Sequence, residues 1–269
     1  MRTTAYRYPS EHLILAITIL LVLAVIALTA TATVCASVIF VLAFVALAYQ
    51  MGLAHHRQLV RSARRVEAQG MPELAELARA GVERLQPGAV EVYLLPSREL
   101  NAYTFGLSEP KVVVLYTALF KVMDADEMLF IIGHELGHAA LGHTWLNSLV
   151  GGLAGVPSPF SAAALLTLAF LWWNRACEYS ADRAGLLACG KPDKAVSALV
   201  KLGAGLQALD RNALEAAYRR IDAEDDQLLS GLNEALGSHP MLIRRIEKLR
   251  AYAASAQYQR LKAQLERRR

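Results

Sequence analysis

The hydrophobic pattern is most continuous at the start of the chain. Positions 13–54 contain no charged residue and no histidine. One helix of that length would be about twice what a bilayer crossing needs. The pattern therefore predicts two crossings, at 13–29 and 34–53, joined by the Thr/Ala run at 29–33. The run is too long for a signal peptide, and no polar segment follows it promptly. A buried hairpin inside a soluble core is the rival reading, but uncharged runs this long are rare in soluble domains.

Polar positions return after residue 55. From 55 to 86 the spacing is helical, with breaks at Gly70 and Pro72. Three short runs follow at 90–95, 101–106 and 111–116, each rich in β-formers and bounded by Pro or Gly, so each predicts a strand. Asp124 followed by Glu127 is a capping-box signature that opens a helix. From there the pattern is helical almost to the end. The tail, 242–269, reads as one amphipathic helix with a basic face, either solvated or laid on an anionic lipid surface. The predicted class is α+β, mainly α, in two parts: a membrane anchor at 1–56 with two transmembrane helices, and a domain at 57–269 with a small β-sheet.

Composition and charge refine this picture. Hydrophobic residues make up 55% of the chain, and the two uncharged runs account for the excess. The formal net charge of +4 suits either a nucleic-acid binder or a membrane protein with basic flanks. The chain has no aromatic-interleaved basic patch, zinc knuckle or glycine-rich phosphate loop, so a nucleic-acid partner is not expected. Arg2 and Arg7 precede the first run, Arg57, Arg61, Arg64 and Arg65 follow the second, and the linking turn is uncharged. The positive-inside rule then places both ends in the cytoplasm. Cys35, Cys177 and Cys189 form no CxxC pair, which fits free thiols in a reducing compartment.

The chemistry centres on His134-Glu135-Leu-Gly-His138. Histidines four apart share a helix face, so both imidazoles can reach one metal. Glu135 can then take a proton from a metal-bound water, as zinc lowers the pKa of such water to about 7. A buried pair of histidines with a glutamate in an apolar helix would be costly without a metal. The third ligand must come from another segment, and Glu178-Tyr-Ser-Ala-Asp182 supplies one. Glu178 is placed to bind the metal and Asp182, one turn on, to hydrogen-bond a ligand histidine. A solvated acidic pair beside Arg175 and Arg183 is the plain alternative. His143 lies nine residues after His134, on the opposite helix face, and is set aside as a ligand. So is Cys177, since neighbours on a helix point apart.

These motifs in this order resemble the M48 peptidase family, the HtpX/Ste24-like membrane-associated metallopeptidases. The resemblance takes in the paired N-terminal runs, Asn101-Ala102-Tyr103 with Gly106, the two motifs above, and His239-Pro240 followed by Arg245-Ile246. It implies a gluzincin-type fold, one zinc ion per chain, and endopeptidase activity on proteins or peptides. It also implies that Asn101, Ala102 and Tyr103 lie on an edge strand that pairs with extended substrate. His239 and Arg245 match positions near the site, able to stabilise an oxyanion or to hold the last helices in place. Asn101 can equally cap a turn, Tyr103 can be core, and His239 can simply open a helix before Pro240. Two rival functions are weighed. A site-2-type intramembrane metalloprotease would typically carry an Asp-Pro-Gly motif, and no Asp-Pro occurs here. A non-catalytic zinc-containing scaffold for membrane quality control would not need Glu135 or an open coordination position.

A second uncharged stretch, 145–173, separates His138 from Glu178. Both ligands must reach one metal at about 2 Å, so the stretch crosses a membrane an even number of times. Two full crossings do not fit in so few residues. The expectation is a short hairpin with arms at 144–156 and 161–173, a turn at Pro157-Ser158-Pro159, and Trp172 and Trp173 at the membrane interface. Ordinary burial within the domain is the alternative.

Overall fold

The computed structural model describes residues 3–32, 61–106, 108–144, 161–204 and 238–267, with isolated positions between 39 and 58 and at 212 and 215. Side chains are described neither at 161–170 nor at 238–241. In chain order the elements are helix α1 (Glu11–Ala32), strand β1 (Arg64–Arg65), helix α2 (Pro72–Leu85), strands β2 (Val90–Leu95), β3 (Ala102–Phe105) and β4 (Lys111–Tyr116), the one-turn helix α3 (Leu119–Val122), and helices α4 (Ala125–Leu141), α5 (Ser161–Cys189), α6 (Pro192–Ala204), α7 (Ser238–Ala253) and α8 (Ala256–Glu266). The protein is mainly helical with one small mixed sheet.

The sheet runs in the order β1-β2-β4-β3. Strands β2 and β4 are parallel, while β1 and β3 join them antiparallel at the two edges. Side chains alternate along β3. Ala102 faces the main core, and Tyr103 and Phe105 face the other side of the sheet with Tyr116. Thr104, in step with Ala102, is aimed at α4.

Helix α4 is the hub. Its N-terminus is closed by a full capping box: the Asp124 carboxylate accepts from the backbone N–H of Asp126 and Glu127, and Glu127 accepts from that of Asp124. From Glu127 to Ala139 every residue is buried, the pattern of a helix enclosed on all sides. The neighbouring α5 lies unusually close. A Cβ on Gly133 would sit 2.3 Å from the Cβ of Ala188, and one on Gly137 2.6 Å from that of Ala184. Only glycine lets the two backbones approach this far, and the approach brings Glu178 level with the histidines.

Several expectations are corrected. The helical reading of 55–86 misses β1: Arg64 and Arg65 form an edge strand against Leu94 and Tyr93. The tail is two helices rather than one, because Ser255 ends the first and caps the second by accepting from the Tyr258 N–H. The expected second arm at 161–173 is not a separate arm. It runs unbroken into the segment with Glu178 and Asp182 as one helix of 29 residues, about 43 Å long. Of the two tryptophans expected at a membrane interface, Trp173 packs in a buried cluster with Ile14, Ala176 and Cys177, and Trp172 is exposed. The turn at 157–159 and nearly all of the first arm lie outside the described residues.

Helix α1 has 22 residues, and its described side chains end at position 27. Among the described residues no helix is long and apolar enough to cross a membrane. The turn of the expected N-terminal hairpin and most of its second arm fall outside the described residues. Among the described residues, α1 presents an exposed apolar face. Leu13, Leu20 and Leu23 are 63%, 65% and 55% exposed, while Ile14 and Thr18 on the other face are buried.

Candidate metal centre

The i, i+4 spacing on α4 puts both histidines on one face, and the glycine seam delivers Glu178 from α5 to the same point. His134 Nε2 lies 3.2 Å from His138 Nε2. The Glu178 carboxylate oxygens lie 3.5 Å and 3.4 Å from those two nitrogens. Three ligand atoms bound tetrahedrally at about 2.0–2.1 Å would stand roughly 3.3 Å apart, so the triangle has the size a zinc ion requires. His134, His138 and Glu178 thus form a group able to hold a metal.

The proton positions agree. A carboxylate only accepts, so the 3.0 Å contact between His134 Nδ1 and Asp182 Oδ1 puts a proton on Nδ1 and turns Nε2 toward Glu178. His138 reaches the same state by another route. Its Nδ1 is 3.0 Å from His143 Nδ1, and His143 Nε2 is 3.0 Å from Glu11 Oε1. His143 donates to Glu11 and accepts from His138 Nδ1–H, which turns His138 Nε2 toward Glu178. Burial pushes the His143 imidazole down to about 4, outweighing the pull of Glu11, so the ring is neutral. Burial alone would lower the His138 pKa, but contact with Glu178 more than reverses this and raises it, so the cluster favours a positive charge beside Glu178, the place a metal ion would take.

Arg245, on α7, balances the acidic side. Its Nε lies 2.8 Å from Asp182 Oδ2, and its terminal nitrogens lie 2.6 Å from Asp182 Oδ1 and 2.9 Å from Glu178 Oε2. Burial alone would raise both carboxyls. The Arg245 guanidinium, with the histidine contacts, more than reverses this, leaving Asp182 below the usual carboxylate range and Glu178 well below it. The guanidinium is itself held more firmly protonated by the pair.

Glu135 is buried on α4 beside the ligands. The Thr104 hydroxyl on β3 lies 2.6 Å from Glu135 Oε2, to which it donates, and 3.0 Å from the Glu135 backbone carbonyl oxygen. Asn101 precedes β3, and its carbonyl accepts from the Tyr116 N–H; Ala102 and Tyr103 lie on the strand. His239 is on α7, with its side chain outside the described residues.

Sequence reasoning missed Thr104, His143 and Glu11. Thr104 falls in the noted strand, one residue beyond Tyr103, and strand alternation was the available signal. His143 was set aside on helical geometry. The helix ends before it, and Gly142 at φ +76° turns the chain so that the ring comes back beside His138. Nothing local marks Glu11.

Comparison with known proteins agrees with this geometry. Over 206 residues, 71% of this chain, it is 29% identical to the plastoglobule-localized metallopeptidase 48 of Arabidopsis thaliana. The chain spans 60% of that plant protein's length. It is 25% identical to a Protease HtpX homolog of Thermodesulfovibrio yellowstonii, covering 71% of this chain and 79% of the relative. It is 26% identical to Protease HtpX of Acinetobacter baylyi, covering 68% and 71%. The description "Peptidase family M48" matches residues 61–159 and 153–253, which includes both candidate ligand segments. The chain therefore belongs to peptidase family M48, a family of metallopeptidases.

Proposed function

We propose that this chain is a membrane-anchored, zinc-dependent endopeptidase that cleaves proteins or peptides on the cytoplasmic side, in membrane protein quality control or processing. The observation that supports this best is the triangle of His134, His138 and Glu178 with the Glu135 carboxylate beside it. The three ligands would hold one zinc ion and leave a position open for water, whose pKa the metal lowers to about 7. Glu135 takes the proton of the attacking water and returns it to the leaving amine, and Thr104 holds its carboxylate in place. Strand β3 pairs with β4 on one side only among the described residues, so an extended substrate would run along the outer edge of the segment Asn101, Ala102 and Tyr103, with Ala102 between two residues whose backbone faces β4. Arg245 is committed to Asp182 and Glu178, which favours holding the site together over contact with an oxyanion. His239 is kept as a candidate for that contact. A non-catalytic scaffold would keep the metal without the activity. Purified full-length protein in detergent is expected to cleave casein, to stop when a chelator strips the metal, and to resume with zinc. A zinc-loaded protein that leaves casein intact would favour the scaffold.

The membrane part of the proposal rests on the uncharged run at 13–54, the bare leucines of α1 and the arginine flanks. A reporter active only outside the cytoplasm, fused after Arg269, is expected to stay silent. Strong activity there would reverse the orientation.

A further inference from the structure

We infer that Glu11 and His143 are positioning residues for His138, so that the residue opening the first apolar helix supports the metal centre. This rests on the reading of His138 as a metal ligand. The connection is a row of two hydrogen bonds, His138 Nδ1 to His143 Nδ1 and His143 Nε2 to Glu11 Oε1, each 3.0 Å long. It spans 132 residues of sequence between Glu11 and His143. Both residues are 1% exposed, so water cannot replace either partner.

Glu11 is itself fixed. Arg7 and the Ser180 hydroxyl both contact its carboxylate, one oxygen each. The segment before α1 is clasped to both ligand helices: Arg7 donates to the Leu141 carbonyl at the end of α4, the Tyr8 N–H donates to Ser180, and Arg183 donates to the Arg7 carbonyl. Without Glu11 the buried His143 Nε2–H has no acceptor. The ring is then free to turn, and His138 to carry its proton on the nitrogen that should face the metal.

The ligand atoms of Glu11, His143 and Cys177 also lie within 4.8 Å of one another, a spacing that a second metal could use. Two features oppose that use. The Arg7 guanidinium already neutralises Glu11, and burial pushes the Cys177 thiol far up, so it stays protonated.

The test uses the full chain in detergent and three measurements: zinc affinity by chelator competition, the visible spectrum of the cobalt-loaded protein, and the melting midpoint of the metal-free protein. Glu11→Ala and His143→Ala are each expected to weaken zinc binding about 10- to 100-fold and to alter the cobalt bands. The double variant should be no weaker than the worse single one, because the two act in series. His143→Gln should regain most of the affinity, since its amide can accept from His138 and donate to Glu11. Ser180→Ala, which loosens Glu11 without emptying the core, should shift affinity the same way by about threefold, and it decides the matter if the alanine variants do not fold. Unchanged affinity and spectrum with only a lower midpoint would overturn the inference. So would loss of a second zinc equivalent, which would mark a separate metal site. A wild-type chain that binds no zinc would instead overturn the metal reading itself, and this inference with it.

Discussion

Glu135→Gln is expected to keep one metal ion per chain while slowing peptide hydrolysis by about 10²–10⁴-fold. The reason lies in what Glu135 touches. It sits outside the triangle of ligand atoms, and its carboxylate is held by Thr104. Glutamine has nearly the same shape and can still accept that hydrogen bond, so the fold and the ligands are undisturbed. It cannot take a proton from water at neutral pH. Glu178→Ala is the contrasting case. It removes a corner of the triangle and leaves Arg245 with one carboxylate fewer, so the metal itself should be lost. Metal content by atomic emission, read beside casein cleavage, checks both. Cleavage by Glu135→Gln at the wild-type rate would remove Glu135 from the role of base, and tightly held zinc in Glu178→Ala would remove Glu178 from the ligand set.

Arg245→Met is expected to be the most damaging change to stability outside the ligands. The guanidinium contacts Asp182 twice and Glu178 once, all within 2.9 Å. A methionine fills similar space but leaves two carboxylates facing each other with no positive charge on that side. Removing one partner from a buried ion pair costs about 3–5 kcal/mol. For a chain of this size that lowers the melting midpoint by on the order of 10 °C. The loss should be larger without metal, because a bound cation still neutralises Glu178. The pH dependence has a definite sign. In the wild type both carboxyls titrate below their ordinary values, so their contribution is complete above the unfolded-state pKa and disappears as pH falls through the depressed folded values. In Arg245→Met that depression is largely gone, so these two carboxyls no longer add to acid destabilisation and the variant's deficit against the wild type should narrow as pH falls. A metal-free midpoint within a degree of wild type would show that Arg245 is not the counter-charge.

The legible part of the site was the part governed by helical periodicity. His134 and His138 are one turn apart, as are Glu178 and Asp182, and a 3.6-residue repeat puts each pair on one face without further information. The Asp124 capping box was readable for the same reason, since its partners are three residues apart. Periodicity fails where the chain leaves the helix. Gly142 takes a left-handed conformation, so the angle that sent His143 to the far side no longer applied. Contacts across long separations carry no local mark. Glu11 meets His143 because α1 packs along α5, and Arg64 with Arg65 becomes a strand only because β2 has an open edge. Composition was equally silent on where 161–173 ends, since apolar residues that form a hairpin arm and those that begin a longer helix look alike.

The glycine seam between α4 and α5 also bears on where this protein is able to move. The two backbones meet across hydrogens, alanine methyls and the Phe130 ring laid on Gly185, which leaves little room to re-seat in a new register, so sliding or tilting one helix against the other would meet hard repulsion at once. The pair should behave as a single rigid block, and its amides should be among the last to exchange with deuterium. Any rearrangement around a substrate would then fall to elements outside the block, such as the edge strand β3 and the C-terminal helices α7 and α8, which meet at Ser255. An inhibitor or partner that acts at a distance would reach the candidate metal ligands by shifting those outer parts, not by prising α4 and α5 apart.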